Sequence, residues 1–418
     1  MIREATIALG LFALVAPSLS AQRLRRAAPE EVGLSSERLQ RLGETFQAYA
    51  DEGRISGAVG MVLRDGRVAY ADAWGVRDLD EGDAMEETDI FRIYSMTKPI
   101  TAVAVMMLYE EGRFFLNEPI GRYLPELANL QVANLSEAVR GQPIPTERTR
   151  RSVTIHDLLR HTSGFTYGEF SNTVVDSVYR EREVLYQSTL EGVVAQLGEI
   201  PLAYQPGTRW HYSASADVLA RFVEVVSGQS FDVFLRERIF EPLGMLDTAF
   251  DVPASKRDRF ARTYGHSRPD RALVLGDTVG VTPPLGNFSG GAGLMSTAQD
   301  YARFAQMLLN GGELDGERIL GRKTVELMTV NHLEDGIPRE ILQPGWGFGL
   351  GFTVKTEAGR DGMPDSVGSY SWIGVAGTSF WVDPKEDLIG VFMVQIRPNR
   401  DITFRQQFRR LVYQALIG

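Results

Sequence analysis

Phe91-Arg92-Ile93-Tyr94-Ser95-Met96-Thr97-Lys98-Pro99-Ile100-Thr101-Ala102-Val103-Ala104-Val105-Met106-Met107-Leu108 is the stretch whose reading decides the fold of this chain. After a polar loop, residues 91–94 lead into Ser95. Residues 96–111 have helical character, with apolar positions at Ile100, Val103, Ala104, Met107 and Leu108 and a natural stop at Gly112. Ser95 thus stands near a helix start, with Lys98 three residues on, facing the same side of the first turn. The positive end of the helix dipole favours negative charge developing on a serine oxygen. An alcohol is a weak nucleophile and needs a base nearby. A lysine serves when burial or neighbouring cations lower its pKa.

Ser-x-x-Lys occurs often by chance. The bland alternative for Lys98 is a helix-end lysine that lays its stem on apolar surface and reaches water. Composition sharpens the choice. Only five lysines occur among 44 basic residues: Lys98, Lys256, Lys323, Lys355 and Lys385. Lys256 and Lys385 fall in turns, and Lys98 alone heads an apolar helix. Buried and unpaired it would cost on the order of several kcal/mol, so it must find anionic or hydroxyl partners.

Outward from this helix, residues 36–51 read as a surface helix and residues 55–63 as a strand. Arg64-Asp65-Gly66-Arg67 supplies an Asp-Gly turn into a returning strand, residues 68–74. Residues 128–152 form a polar connection. Helical patterns return at residues 155–160, 190–197, 216–226 and 231–239. Residues 251–292 are rich in loops, and residues 296–310 form an amphipathic helix ended by Gly311-Gly312. Strands resume at residues 349–354, 369–373, 378–382 and 388–395, with a turn at Asp383-Pro384-Lys385-Glu386-Asp387 between the last two, and residues 401–416 close as a helix. Strands at both ends with helices between predict an α+β fold. Its antiparallel sheet would be built from N- and C-terminal strands and flanked by helices, with a mostly helical lobe inserted. The expected division is an α/β lobe of about residues 30–95 and 293–418 around a helical lobe of residues 96–292.

The 418 residues are 44% apolar and 23% charged, enough for a large core and unlike a disordered chain. The formal net charge of −10 argues against nucleic acid as a partner. Arg148, Arg150 and Arg151 read as a short solvated loop. The absence of cysteine excludes disulfides, zinc–cysteine sites and thiol nucleophiles. Met1-Ile2-Arg3, the apolar run of residues 5–16 and the small-residue stretch Pro17-Ser18-Leu19-Ser20-Ala21-Gln22 read as a secretory signal peptide over residues 1–21, cleaved near Ser20 or Ala21. The expectation is an exported, periplasmic or secreted protein with no stable membrane span after cleavage. No later run reaches the roughly 18 apolar residues of a spanning helix.

Gly-x-Ser-x-Gly, His-Glu-x-x-His and the phosphate-binding Gly-x-x-x-x-Gly-Lys are missing. The histidines, His156, His161, His211, His266 and His332, show no standard metal spacing and read as structural. No metal or cofactor is expected.

Further segments complete a pattern. His161-Thr162-Ser163-Gly164 follows Ile155-His156-Asp157-Leu158-Leu159. Tyr212-Ser213-Ala214, Gly290-Gly291-Ala292-Gly293-Leu294-Met295-Ser296-Thr297 and Trp372-Ile373-Gly374 with Gly377-Thr378 follow in order. With Tyr94-Ser95-Met96-Thr97-Lys98 they resemble the β-lactamase-like serine hydrolases over roughly residues 30–415. That group holds the class C β-lactamases and penicillin-binding DD-peptidases, and the chain is most similar to the family VIII carboxylesterases.

The resemblance implies an acylated Ser95 with Lys98 and Tyr212 handling protons. Tyr212, beside an ammonium, is expected to have a lowered pKa. It also implies an oxyanion hole from the backbone N–H groups of Ser95 and Val375, and substrate contacts at Trp372, Ile373, Gly374 and Ala214 on an edge strand and a loop. Ala214 replaces the family's Asn and Trp372 its Lys, which weakens the lactamase and peptidase readings. The leading expectation is a carboxylesterase acting on small or short-chain esters. One alternative keeps the mechanism with a β-lactam or D-amino-acid peptide. Another is a non-catalytic ligand-binding envelope protein of the same fold.

Overall fold

The computed structural model describes residues 24–266, 273–276, 287–339, 342–398 and 403–418. The expected signal segment lies outside the described residues.

Helix α1 is Ser36–Asp51 and begins with the Ser35 side chain capping the N–H of Arg38. It is followed by strands Gly57–Arg64 and Arg67–Asp78, joined by a turn with positive φ at both Asp65 and Gly66. The C-terminal strands Leu388–Val394, Ser379–Asp383 and Tyr370–Ile373 extend the same sheet. Antiparallel pairing sets Ala58 opposite Val394, and Ser379 opposite Phe392. The sheet has eight strands, ordered Trp346–Phe348, Thr353–Lys355, Tyr370–Ile373, Ser379–Asp383, Leu388–Val394, Gly57–Arg64, Arg67–Asp78 and Asp83–Ala84. This is the fold expected, with N- and C-terminal strands meeting at the sheet centre.

Both faces of the central strands are covered, which is why they read as almost unbroken apolar runs. Ala58 and Val62 face a core shared with Leu39, Leu42 and Phe46 of α1 and with Phe404, Phe408 and Val412. The last three belong to the C-terminal helix. Val59, Met61 and Leu63, alternating with them, face the larger core that carries Ser95's helix. That helix, α2, is Thr97–Glu110, buried at every position from Thr97 to Leu108. Around it stand α3 (Ile155–Leu159), α4 (Val174–Glu181), α5 (Leu190–Glu199), α6 (Ser215–Ser227) and α7 (Phe231–Leu235), the last running on into a wider turn over Arg236–Phe240. Helices α8 (Ala298–Leu309) and α9 (Arg322–Met328) return the chain to the sheet, and α10 (Thr403–Tyr413) closes it.

Two expectations need correction. Residues 349–354 are not one strand. Gly351 has φ +91° and Gly349 N–H donates to Phe352 O at 2.8 Å, so a turn separates Trp346–Phe348 from Thr353–Lys355. The helices α4 and α9 were not anticipated, because each is short and its apolar positions lie among charges.

Candidate active site

Three elements converge on Ser95. The first is the turn that carries it. Tyr94 holds φ +44°, a conformation that costs a side-chain-bearing residue energy, and it is buried at 2% exposure, so packing holds the strain. A tight turn, Tyr94–Met96, then delivers Ser95 at the mouth of α2. Tyr301 of α8 donates its hydroxyl to Met96 O at 2.8 Å, and Thr97 Oγ1 accepts from Leu294 N–H at 3.2 Å. Both bonds tie the turn to the glycine-rich segment and the helix that follows it.

The second element carries Tyr212. The backbone flanking it is pinned on each side: His211 N–H donates to His161 O at 2.8 Å and Ala214 N–H to Thr166 O at 3.1 Å. Side chains repeat the link. Ser163, Ser215 and Ser213 form a hydroxyl chain with 2.8 Å steps, and Ser213 Oγ lies 3.2 Å from His161 Nδ1. Buried Asp157 anchors the His161 turn by accepting from Arg151, Thr154 and Thr162; burial raises its pKa, and the bonds from Arg151 and Thr154 hold it down at about 2. Tyr212 Oη thereby comes to 2.7 Å from Ser95 Oγ.

The third element is Gly290-Gly291. Lys98 Nζ lies 3.3 Å from Ser95 Oγ and donates to Gly291 O at 2.7 Å. Gly291 has no room for a side chain, since a Cβ there would stand 2.6 Å from Asp217 Oδ2. Asp217 is itself buried and accepts from Ser289 Oγ at 2.5 Å and Gly291 N–H at 3.2 Å.

These surroundings set the proton chemistry. Burial lowers Lys98 to about 7, with Asp217 partly opposing it, so a large fraction of the amine is neutral near neutral pH. Burial pushes Tyr212 well above the ordinary tyrosine value, although the Ser95 hydroxyl and the Trp372 indole N–H act the other way. The expected lowering of Tyr212 is therefore corrected. Desolvation outweighs the contacts with Ser95 and Trp372, and the residue is a phenol. Burial also keeps His161 neutral, its pKa pushed well below the usual imidazole value.

Trp372, 92% buried in complement to its 8% exposure, packs on Tyr212 with ring centres 5.5 Å apart and on Phe348 at 5.4 Å. Tyr167 stacks parallel to Tyr212 at 5.4 Å, and Phe170 closes on both. Gly374 is pressed against the residue before Tyr94, where a Cβ would meet Ile93 O at 2.7 Å. Ile373 and Val375 are exposed beside it. Ala214 is fully buried and presents nothing to a ligand. The strand Tyr370–Ile373 is not the sheet edge that was expected. Thr353–Lys355 covers Tyr370 and Ser371 but stops there, which leaves Trp372 and Ile373 without a strand partner on their outer side among the described residues.

Sequence reasoning missed Asp217, Tyr167 and Phe170. Asp217 follows Tyr212 by five residues on an otherwise apolar helix face, which was the available signal. Nothing local marks the two aromatics. Among the described residues no cluster of His, Asp and Glu has the geometry of a metal site.

The Beta-lactamase family model matches residues 42–414. The chain belongs to that family. An uncharacterized protein of Mycobacterium tuberculosis is 38% identical over 369 residues, covering 86% of this chain and 90% of the relative. Esterase EstB of Burkholderia gladioli is 31% identical over 363 residues, covering 82% and 86%. The solved structure of EstCE1, described as a hydrolase with promiscuous acyltransferase activity, superposes with a TM-score of 0.74 at 27% identity, covering 90% of this chain and 98% of that one. The protein is thus a β-lactamase-fold serine hydrolase. Its Beta-lactamase-family match spans both the strands at the sheet centre and the segments that present Ser95, Lys98 and Tyr212.

Proposed function

We propose that the protein hydrolyses small carboxylic esters through an acyl-enzyme on Ser95. The observation that carries the ester specificity is the wall opposite the nucleophile. Trp372, Tyr212, Phe348, Tyr167 and Phe170 make it aromatic, and the position where the lactamase pattern has lysine is an indole. Such a wall suits an apolar acyl or alcohol group and offers no specific partner to a carboxylate. The similarity to Esterase EstB supports the same choice, and the structurally similar EstCE1 is described as a hydrolase.

In the first step neutral Lys98 accepts the Ser95 hydroxyl proton while Ser95 Oγ attacks the ester carbonyl carbon. Tyr212 donates to the same oxygen from 2.7 Å and fixes its lone-pair direction. The backbone N–H groups of Ser95 and Val375 receive the carbonyl oxygen as it becomes an oxyanion. The C–O bond to the alcohol then breaks. The Tyr212 hydroxyl gives its proton to the departing alkoxide, and the ammonium of Lys98, which lies 4.6 Å from the ring centre, returns a proton to the phenolate. Water, deprotonated by the same pair, repeats the sequence on the acyl-enzyme and releases the acid.

The test is a panel of p-nitrophenyl esters and a chromogenic cephalosporin, read on wild type and Ser95→Ala. Ester turnover that exceeds cephalosporin turnover and vanishes in Ser95→Ala supports the ester function. A preferred cephalosporin would assign the lactam function instead. Export is proposed with it on residues 1–21, and intact-mass measurement on protein from the native host should find a mature chain starting near residue 21 or 22.

A further inference from the structure

Helix α10 sends one arginine to the hairpin that follows Trp372. Arg405 is half-buried, and burial lowers its pKa to about 10. Its only hydrogen bond among the described residues is from a guanidinium nitrogen to Gly374 O at 3.3 Å, and it makes no ion pair among them. A charged group that finds no carboxylate among the described residues is costly to place there, so its one described acceptor is informative.

The acceptor gives that purpose. Gly374 O is the oxygen of the Gly374–Val375 peptide. A trans peptide is planar, with its C=O and N–H pointing in opposite directions. The oxygen is held on one side by Arg405 and by Gly377 N–H at 3.1 Å, so the Val375 N–H must point to the other side. Arg405 comes from α10, whose Phe404 and Phe408 lie in the core on the α1 face of the sheet. Trp372 belongs to the core on the opposite face, together with Met96 beside the nucleophile. Gly374 itself abuts Ile93, and Thr378 Oγ1 reaches Ile93 O at 3.4 Å, so this peptide is braced against the turn that holds Ser95. Among the described residues the Val375 N–H has no acceptor.

We propose that Arg405 is a positioning residue of the oxyanion hole: its guanidinium binds Gly374 O, aims the Val375 N–H at the oxyanion and polarises it. Withdrawing electron density at the carbonyl end of an amide makes its N–H a stronger donor, as in any chain of hydrogen bonds. The positive charge also lies behind the forming oxyanion, where low-dielectric surroundings screen it little. The inference rests on the acyl-enzyme function proposed above but not on the identity of the ester.

The experiment compares wild type, Arg405→Met and Arg405→Lys in two measurements. One is kcat and KM on a p-nitrophenyl ester. The other is the affinity of a phenylboronic acid, which forms a tetrahedral adduct with Ser95 and needs only the nucleophile and the oxyanion hole. Removing an oxyanion donor outright costs about 100- to 1,000-fold. Loss of aim and polarisation alone should cost about tenfold in kcat and in boronate affinity, with KM within about twofold. Arg405→Lys, which keeps the charge on a shorter side chain, should recover part of both. Should Arg405→Met not fold, as judged by circular dichroism and thermal melting, Arg405→Gln carries the same comparison. Wild-type kcat and boronate affinity in the neutral variant overturn the proposal. So does a loss that tracks melting temperature and that lysine does not rescue. A wild type that binds boronate yet turns over no ester would refute the ester function while leaving the Arg405 comparison readable.

Discussion

The Tyr212 hydroxyl donates to Ser95 Oγ at 2.7 Å, while Lys98 Nζ stands 3.3 Å from the same oxygen. The two partners differ in kind. Burial raises the proton affinity of the phenolate and lowers that of the amine, because each group is driven toward its neutral form. Ser95 Oγ therefore accepts from a phenol and, whenever Lys98 is in its neutral form, faces an amine that can take its proton.

Ser95→Ala should lower kcat by roughly three orders of magnitude or more and abolish labelling by a fluorophosphonate. Intact-mass detection of the adduct checks the labelling and p-nitrophenyl ester turnover checks the rate. Labelling that persists in the variant would place the nucleophile elsewhere.

Lys98→Ala and Tyr212→Phe should each approach that loss, and the double variant should be little worse than either. The groups act on one oxygen and form a unit, so their effects cannot add. Additive losses in kcat/KM would mean that one of them acts outside the proton path.

The pH dependence has a definite sign. Lys98 is ammonium below about 7 and neutral above it, and only the neutral amine can take the Ser95 proton. kcat/KM should rise about tenfold per pH unit on the acid side and level off above about pH 7. Tyr212, raised above its ordinary value, adds no descending limb below about pH 10. Asp217 favours the ammonium of Lys98, so Asp217→Asn should move the midpoint to lower pH. A midpoint that stays in place would show that the carboxyl is neutral and is not the counter-ion.

Trp372→Lys should shift preference toward an anionic substrate. A lysine there would meet a carboxylate that the indole cannot, and a hydrogen bond to a charged group contributes about 1.5–3 kcal/mol, or roughly tenfold and upward. The ratio of kcat/KM for a chromogenic cephalosporin over a p-nitrophenyl butyrate should rise accordingly. An unchanged ratio would remove Trp372 from the substrate wall.

A last prediction concerns stability. Lys355 is 1% exposed and pairs with Asp361 at 2.6 Å and Asp365 at 3.3 Å, and Arg409 of α10 reaches Asp365 from the other side. Lys355→Met leaves two buried carboxylates short of a partner and should cost about 3–5 kcal/mol in urea unfolding at neutral pH. A change below about 1 kcal/mol would show that the cluster relaxes or takes up water.

The alternation of Ala58 and Val62 against Val59, Met61 and Leu63 is a property of a strand covered on both faces, and it was legible as a long apolar run. The Asp65-Gly66 turn, the α2 boundary at Gly112 and the Ser95–Lys98 spacing are equally local. Each depends on backbone preferences or side-chain periodicity within a few residues. These determined the fold class and the candidate nucleophile. Tyr212 could be chosen from 14 tyrosines only by family resemblance, because its 2.7 Å approach to Ser95 depends on contacts across 117 positions of sequence. The burial of Lys355, the Asp217 carboxyl behind Gly291, the Tyr167 stack and the Arg405 contact likewise join distant segments. The direction of the Tyr212 pKa shift was decided there too. Desolvation pushes it up while the contacts with Ser95 and Trp372 pull it down, and which wins depends on how completely the folded chain excludes water from that side chain.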